Sequence, residues 1–150
     1  MTAKTTLYDR DFYAWSREQA ELLRAGELDR ADLEHIAEEI ESMGKTEKRE
    51  LASQLAALML HLLKWRFQPF MRSATSEVSI KVQRNGLVDH LEDNPSLKPL
   101  IGSAIDKAYR HAVLRSMLET GLPESVFPKI CPWSFDEMMD PEFWLEKQTH

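Results

Sequence analysis

Four side chains in the first half of the chain have the types and spacing of metal ligands. His35, Glu38 and Glu39 follow one another at i, i+3 and i+4, so a helix places an imidazole and two carboxylates at adjacent surface positions. Imidazole nitrogens and carboxylate oxygens are ligands that divalent metals such as zinc accept. If the next helix packs antiparallel and brings His61 level with them, the four side chains could bind a metal, and the chain would be a metal-binding bundle or a metal-dependent hydrolase.

The same residues have a simpler interpretation. Carboxylate-bridged di-metal bundles carry a Glu-x-x-His element on each of two helices, and this chain contains none. We therefore favour a solvated acidic face with a histidine beside the apolar stripe, without a cofactor. His61 and His111 border apolar faces and are predicted to be packed, and Cys131, just before a proline, is predicted to be structural. No residue is assigned a catalytic role, and the sequence leans away from an enzyme.

Cations and aromatic residues alternate in the centre of the chain. In order, they are Lys64, Trp65, Arg66, Phe67, Phe70, Arg72, Lys81 and Arg84. Cations contact phosphates and aromatic rings stack on bases, so this segment is a candidate for polyanion contact through its five cations. These cations are spread over a helix end, a loop and a second helix, and no helix-turn-helix or phosphate-binding loop accompanies them. We favour ion pairing with the acidic helices over nucleic-acid binding.

The charge distribution supports that preference. The net charge is −6, but residues 1–50 carry 8 Lys/Arg and 13 Asp/Glu, residues 51–115 carry 9 and 5, and residues 116–150 carry 2 and 7. A basic centre between acidic ends can be complementary within one subunit or between two subunits. Both arrangements remain open from the sequence.

Apolar residues at helical spacing predict five main helices that position these side chains. The predicted helices cover residues 9–25, 29–43, 45–68, 76–93 and 95–120. Gly26, Gly44 and Gly121 are expected to end the first, second and fifth helices, and Pro69 the third. The first two helices should bury Phe12, Trp15, Gln19, Leu22, Leu23, Leu33, Ile36, Ala37 and Ile40. The third should be central, with Leu51, Leu55, Leu58, Met59, Leu62 and Trp65 inward.

The C-terminal segment is rich in both proline and large apolar residues. Ser134 and Glu137 have the spacing of a capping box, which predicts a short helix after Ser134. The fold class is therefore all-α: a single-domain bundle of about five main helices over residues 1–150, with a short C-terminal helix and an irregular proline-rich tail packed on it. Residues 1–6 and 147–150 are expected to be disordered.

Cysteine content and hydropathy bear on the compartment. Cys131 is the only cysteine and cannot form an intramolecular disulfide, and the N-terminus lacks the basic-then-apolar pattern of a secretory signal. The apolar run at 55–63 is far shorter than the roughly 20 residues that span a bilayer. We expect a cytoplasmic protein that does not cross a membrane.

Several ordered blocks resemble a known family. They are YDRDFYAW at 8–15, EEIESMG at 38–44, HLLKW at 61–65, NPSL at 94–97 and ETGL at 119–122. Together they resemble the domain-of-unknown-function family numbered 29, found mainly in bacteria, including cyanobacteria. The resemblance implies an all-helical cytoplasmic domain and carries no activity or binding residues. We therefore predict a non-catalytic interaction or structural module with an unidentified protein partner, a homodimer being one such partnership.

Overall fold

The regular structure of the chain is helical throughout the part that the structure describes. A computed structural model describes residues 6–146, which contain seven α-helices and no strand. The α-helices are α1 (Leu7–Arg10), α2 (Phe12–Arg24), α3 (Leu33–Phe67), α4 (Ala74–Asp93), α5 (Ile101–Thr120), α6 (Phe135–Met139) and α7 (Pro141–Glu146). Short 3-10 helices cover Pro69–Met71, Pro95–Leu100 and Glu124–Val126. The all-α prediction is confirmed, including short helices near the C-terminus.

The terminal predictions fall largely beyond that range. The expected disorder of 1–6 and 147–150 lies outside the described residues, except at Thr6. Thr6 is the N-cap of α1, where its hydroxyl accepts a hydrogen bond from the backbone N–H of Asp9 at 3.3 Å. The predicted first helix divides at Asp11, whose carboxylate caps α2 by accepting from the Ala14 backbone at 3.1 Å. A side chain that caps a new helix competes with continuation of the old one.

The predicted helix end at Gly44 is wrong, because α3 continues through this residue as one helix of 35 residues. A glycine ends a helix by adopting a left-handed conformation, as Gly26 and Gly121 do with φ of 74°. Gly44 has no positive φ. An interior glycine costs about 1 kcal/mol, and Lys45, four residues after Glu41, supports the continuing helix. The start near Asp29 is also wrong, since α3 begins at Leu33.

Residue contacts divide the chain into two compact units, one up to Thr46 and one from Glu47 onward. The main core belongs to the second unit. It is built from the C-terminal half of α3, from α4 and α5, and from the segment after α5. The predicted inward residues of the third helix are confirmed: Leu51, Leu55, Leu58, Met59 and Leu62 are fully buried, and Trp65 nearly so. The single-domain organisation stays a prediction.

The proline-rich tail packs on this core, as predicted. Phe127, Trp133 and Met138 are buried in it, and Ser134 and Glu137 form the predicted capping box at the start of α6. Arg84 of α4 is itself buried, and its Nε donates a hydrogen bond to the Met138 carbonyl oxygen at 2.8 Å. The tail is thus held by apolar burial and by a buried charge-assisted hydrogen bond.

The first unit buries much less. Among its described apolar side chains only Trp15 is buried, and Phe12, Leu23, Leu33 and Ile40, which we predicted to be inward, are exposed. The pattern predicted an apolar face, but most of that face is left uncovered among the described residues of this unit. No helix in residues 6–146 has the length and apolar content that crossing a bilayer demands.

Candidate functional site

A polar cluster in the first unit is organised by Asp32, the residue before α3. Its Oδ1 accepts a hydrogen bond from the backbone N–H of His35 at 3.4 Å, and its Oδ2 lies 2.6 Å from His35 Nδ1. The indole Nε1 of Trp15 donates to the same Oδ2 at 3.2 Å. The backbone N–H of Asp32 donates to Gln19 Oε1 at 2.6 Å. Asp32 therefore caps α3 and ties α2 to it.

Ionisation in this cluster follows from the same hydrogen bonds. The Asp32 carboxylate raises the pKa of His35, although desolvation works in the opposite direction. The His35 hydrogen bond in turn lowers the pKa of Asp32. Each partner favours the charged form of the other, so the pair gains most between the two pKa values.

Tyr8 of α1 closes the cluster from the other side. Its ring stacks on the His35 imidazole with centroids 4.1 Å apart, and its hydroxyl donates to Glu39. The hydrogen bond to Glu39, with desolvation and neighbouring carboxylates, raises the pKa of Tyr8 to about 12. Through Tyr8, His35 and Glu39 thus hold α1 against α3.

The predicted metal ligands are distributed along one helix. His35, Glu38 and Glu39 lie in the first unit, whereas His61 lies 26 residues after His35 in the second. The helical hairpin that the metal hypothesis required does not form, because α3 continues through Gly44. In the part of the chain described, no group of three or more His, Cys, Asp or Glu side chains could hold a metal ion.

The predicted polyanion contacts have different environments. Lys64 Nζ lies 3.1 Å from Glu119 Oε1, Arg66 and Lys81 are exposed, and Arg84 is buried under the tail. Arg72 donates through Nε to the Trp65 carbonyl oxygen at 2.7 Å, and its guanidinium lies 4.9 Å from the centre of the Trp65 ring. The five cations therefore do not form one continuous stripe.

Two of these cations, Lys64 and Arg72, line a cavity of about 320 Å³ together with His61. Burial, and then the nearby Lys64 charge, lowers the pKa of His61 and favours its neutral form. We call this cavity the polar groove. A second, shallow cavity of about 380 Å³ shares His61 with it, and the exposed side chains of Val78 and Val82 supply most of its apolar surface.

Cys131 and His111 are the remaining candidate residues. Cys131 is half-buried and its Sγ donates to the Trp133 carbonyl oxygen at 3.4 Å, while burial raises the pKa of its thiol. A raised pKa reduces the thiolate fraction and hence the reactivity. His111 is exposed, so the prediction that it is packed is wrong, and it lines a shallow cavity beside Arg115 and Lys107.

An apolar stripe on α3 is exposed in the first unit. Leu33, Ile40 and Met43 are 51%, 62% and 65% exposed, and they share one helix face with the exposed Ala37. We call these four residues the α3 stripe. Sequence analysis predicted that Leu33, Ala37 and Ile40 are buried, and it made no prediction about the burial of Met43.

Sequence analysis did not find the Asp32 cluster. The available signal was the i, i+3 spacing of Asp32 and His35, with Asp32 directly before the apolar residue Leu33.

Comparisons with known proteins add a family and no activity. The family model described as Domain of unknown function DUF29 matches residues 7–144. No curated protein and no solved structure matches the chain.

Proposed function

We propose that this chain, which belongs to the DUF29 family of domains of unknown function, is a non-catalytic helical interaction module that pairs with a second copy of itself through the α3 stripe. The observation that carries the proposal is the small amount of burial in the first unit. Among the described residues of this unit, Trp15 is the one apolar residue whose side chain is buried. Units of about 40 residues rarely stay folded without extra support such as oligomerisation.

The spacing of the α3 stripe suits a helical partner. Leu33 and Ile40 are seven residues apart, and Met43 lies three residues further along, which is the seven-residue repeat of helices that pack side by side. The small side chain of Ala37 would allow close approach. A second α-helix with its own apolar face therefore complements this surface.

Charge along α3 favours a second copy as that helix, in antiparallel orientation. The N-terminal part carries Glu34, Glu38, Glu39 and Glu41, whereas the next part carries Lys45, Lys48 and Arg49 with Glu47 among them. A parallel pair would set acidic residues against acidic residues. In an antiparallel pair with its two-fold axis close to Met43, Glu38 of one copy faces Lys48 of the other and Glu41 faces Lys45, so acidic residues meet basic ones.

We place this module in the reducing cytoplasm, because Cys131 cannot form an intramolecular disulfide. The pairing is tested by sedimentation velocity of untagged protein over a concentration series. We expect a reversible monomer–dimer equilibrium. A sedimentation coefficient that stays at the monomer value up to the highest soluble concentration would reject the proposal.

A further inference from the structure

The polar groove has an unusual excess of hydrogen-bond donors. It lies in the second unit, where the end of α3, the loop after it and the start of α4 meet, and Glu119 of α5 borders it. The donor side chains along it include His61, Lys64, Arg72, Thr75, Ser76 and Ser79. Glu119 is the one carboxylate in that lining, and it is already paired with Lys64 at 3.1 Å and with Arg115 at 4.0 Å.

Arg72 is held in place before any ligand arrives. Its Nε donates to the Trp65 carbonyl oxygen, and its guanidinium lies over the Trp65 ring. Trp65 is itself buried in the core. Neither terminal guanidinium nitrogen of Arg72 has a hydrogen-bond or ion-pair partner among residues 6–146. A fixed arginine with free terminal N–H groups is suited to an anion with several oxygens.

The start of α4 adds to this arrangement. The helix begins at Ala74 and runs for 20 residues, with Ser73 as its cap. Thr75 and Ser76 stand in its first turn, where the helix dipole favours negative charge, although the Ser76 hydroxyl lies 3.1 Å from that of Ser73 and Glu77 occupies the same turn. Ser79 lies one turn later on the same face as Thr75 and Ser76. Thr75, Ser76, Ser79, Arg72 and Lys64 therefore border one cavity.

We propose that the polar groove binds the phosphate group of a small phosphate monoester. A phosphate presents three terminal oxygens and accepts more hydrogen bonds than a carboxylate, which matches the number of donors. The adjoining shallow cavity, with Val78 and Val82, receives an uncharged apolar substituent on the ester oxygen. The two cavities share His61, Thr75 and Ser79, so one molecule can occupy both.

The ligand is a single phosphate group rather than a nucleic-acid backbone. Of the five cations in the central segment, the polar groove includes Lys64 and Arg72 and does not include Arg66 or Lys81. Arg84 lies under the tail with its Nε bound to Met138. A polyanion would gain from all exposed cations, whereas a monoester gains only from those that border the groove.

Isothermal titration calorimetry with inorganic phosphate and with phenyl phosphate tests the proposal, each against sodium chloride of equal ionic strength. We expect saturable binding of both, tighter for phenyl phosphate. Arg72→Gln should weaken binding at least about tenfold, because it removes a charge-assisted hydrogen-bond donor. Lys81→Gln is the matched control and should leave the affinity unchanged.

A second variant keeps the test decisive if Arg72→Gln fails to fold. Replacing both Thr75 and Ser79 by alanine improves helix propensity while it removes two donors, so the fold is retained and the affinity should fall several-fold. The proposal is overturned if millimolar phosphate gives no saturable signal, or if the double variant binds like the wild type. Equal losses in Arg72→Gln and Lys81→Gln, with tight binding of an unphosphorylated single-stranded oligonucleotide, would replace it with the polyanion interpretation.

Discussion

Replacing Ile40 by glutamine should weaken self-association strongly while leaving the monomer folded. Full burial of an isoleucine side chain contributes about 1.5–3 kcal/mol. Because Ile40 is 62% exposed in the single chain, the part still available to a partner contributes about 1–2 kcal/mol. A two-fold dimer contains the residue twice, so the substitution costs about 2–4 kcal/mol, or about 30- to 1000-fold in Kd.

The assay is sedimentation velocity of both proteins over the same concentration series, with far-ultraviolet circular dichroism to confirm equal helix content. Glutamine has a helix propensity at least equal to that of isoleucine, so the helix itself should persist. Leu118→Gln is the matched control, because Leu118 on α5 is 86% exposed and lies outside the α3 stripe. Equal Kd values for wild type and Ile40→Gln, or equal losses in Ile40→Gln and Leu118→Gln, would refute the reasoning.

Three further predictions concern ionisation, packing and backbone conformation. Folding raises the pKa of His35, so the stability that His35 contributes is complete below its unfolded-state pKa and is lost as pH rises through its folded-state pKa. Folding lowers the pKa of Asp32, so the stability that Asp32 contributes is lost as pH falls through its folded-state pKa. The NMR signal of the Trp15 indole N–H, which donates to Asp32, should therefore keep its folded chemical shift between these two pKa values. The shift should change as pH rises through the His35 pKa, and His35→Gln should remove that change. Leu62→Ala should lower the free energy of unfolding by about 2–5 kcal/mol in urea titrations, since the side chain is fully buried. Gly44→Ala should raise it by about 0.5–1 kcal/mol, and Gly121→Ala should lower it by about 1–2 kcal/mol, because only Gly121 has a left-handed φ.

The control for the packing prediction lies on a different helix, α4. Val82→Ala, at an exposed position of α4, should change the free energy of unfolding by less than about 0.5 kcal/mol. An equal effect of Leu62→Ala and Val82→Ala would contradict the burial argument. A loss of stability in Gly44→Ala would contradict the helix-propensity argument.

The sequence predicted most of the second unit because its pattern and its burial agree, although the predicted fifth helix begins as the 3-10 helix Pro95–Leu100 and is α-helical only from Ile101. Leu51 to Trp65 follow the helical period and are buried, and the capping box at Ser134 forms as predicted. Local hydrogen-bond chemistry and the side-chain period both act within a few residues, so one sequence is enough to find them.

Predictions for the first unit were less accurate, and the reasons are physical. Gly44 was expected to stop a helix, but a glycine stops a helix only when its backbone turns left-handed, and that depends on how the next residues pack in space. Ile40 was expected to be buried, but an apolar face shows only that a surface needs covering and not which element covers it. A single sequence does not show whether an apolar helix face is covered by the same chain or by another chain.

Candidate site residues show the same limit. Glu39 was found by its spacing to His35, but its actual partner, Tyr8, is 31 residues away in the chain. Arg84 was counted among exposed cations because arginine is seldom buried without a partner, and its partner is a backbone carbonyl that no sequence pattern marks. Lys64 and Arg72 line one cavity because α3 ends at Phe67 and the chain turns back.

The placement of Phe127, Trp133 and Met138 in the main core has a consequence for biosynthesis. Met138 leaves the ribosome 76 residues after Leu62, with which it shares that core. Until then the apolar side chains of the nascent α3, α4 and α5 are incompletely buried and are accessible to chaperones. A premature stop codon before Trp133 should therefore yield a product that proteases remove, although every long helix has already been translated.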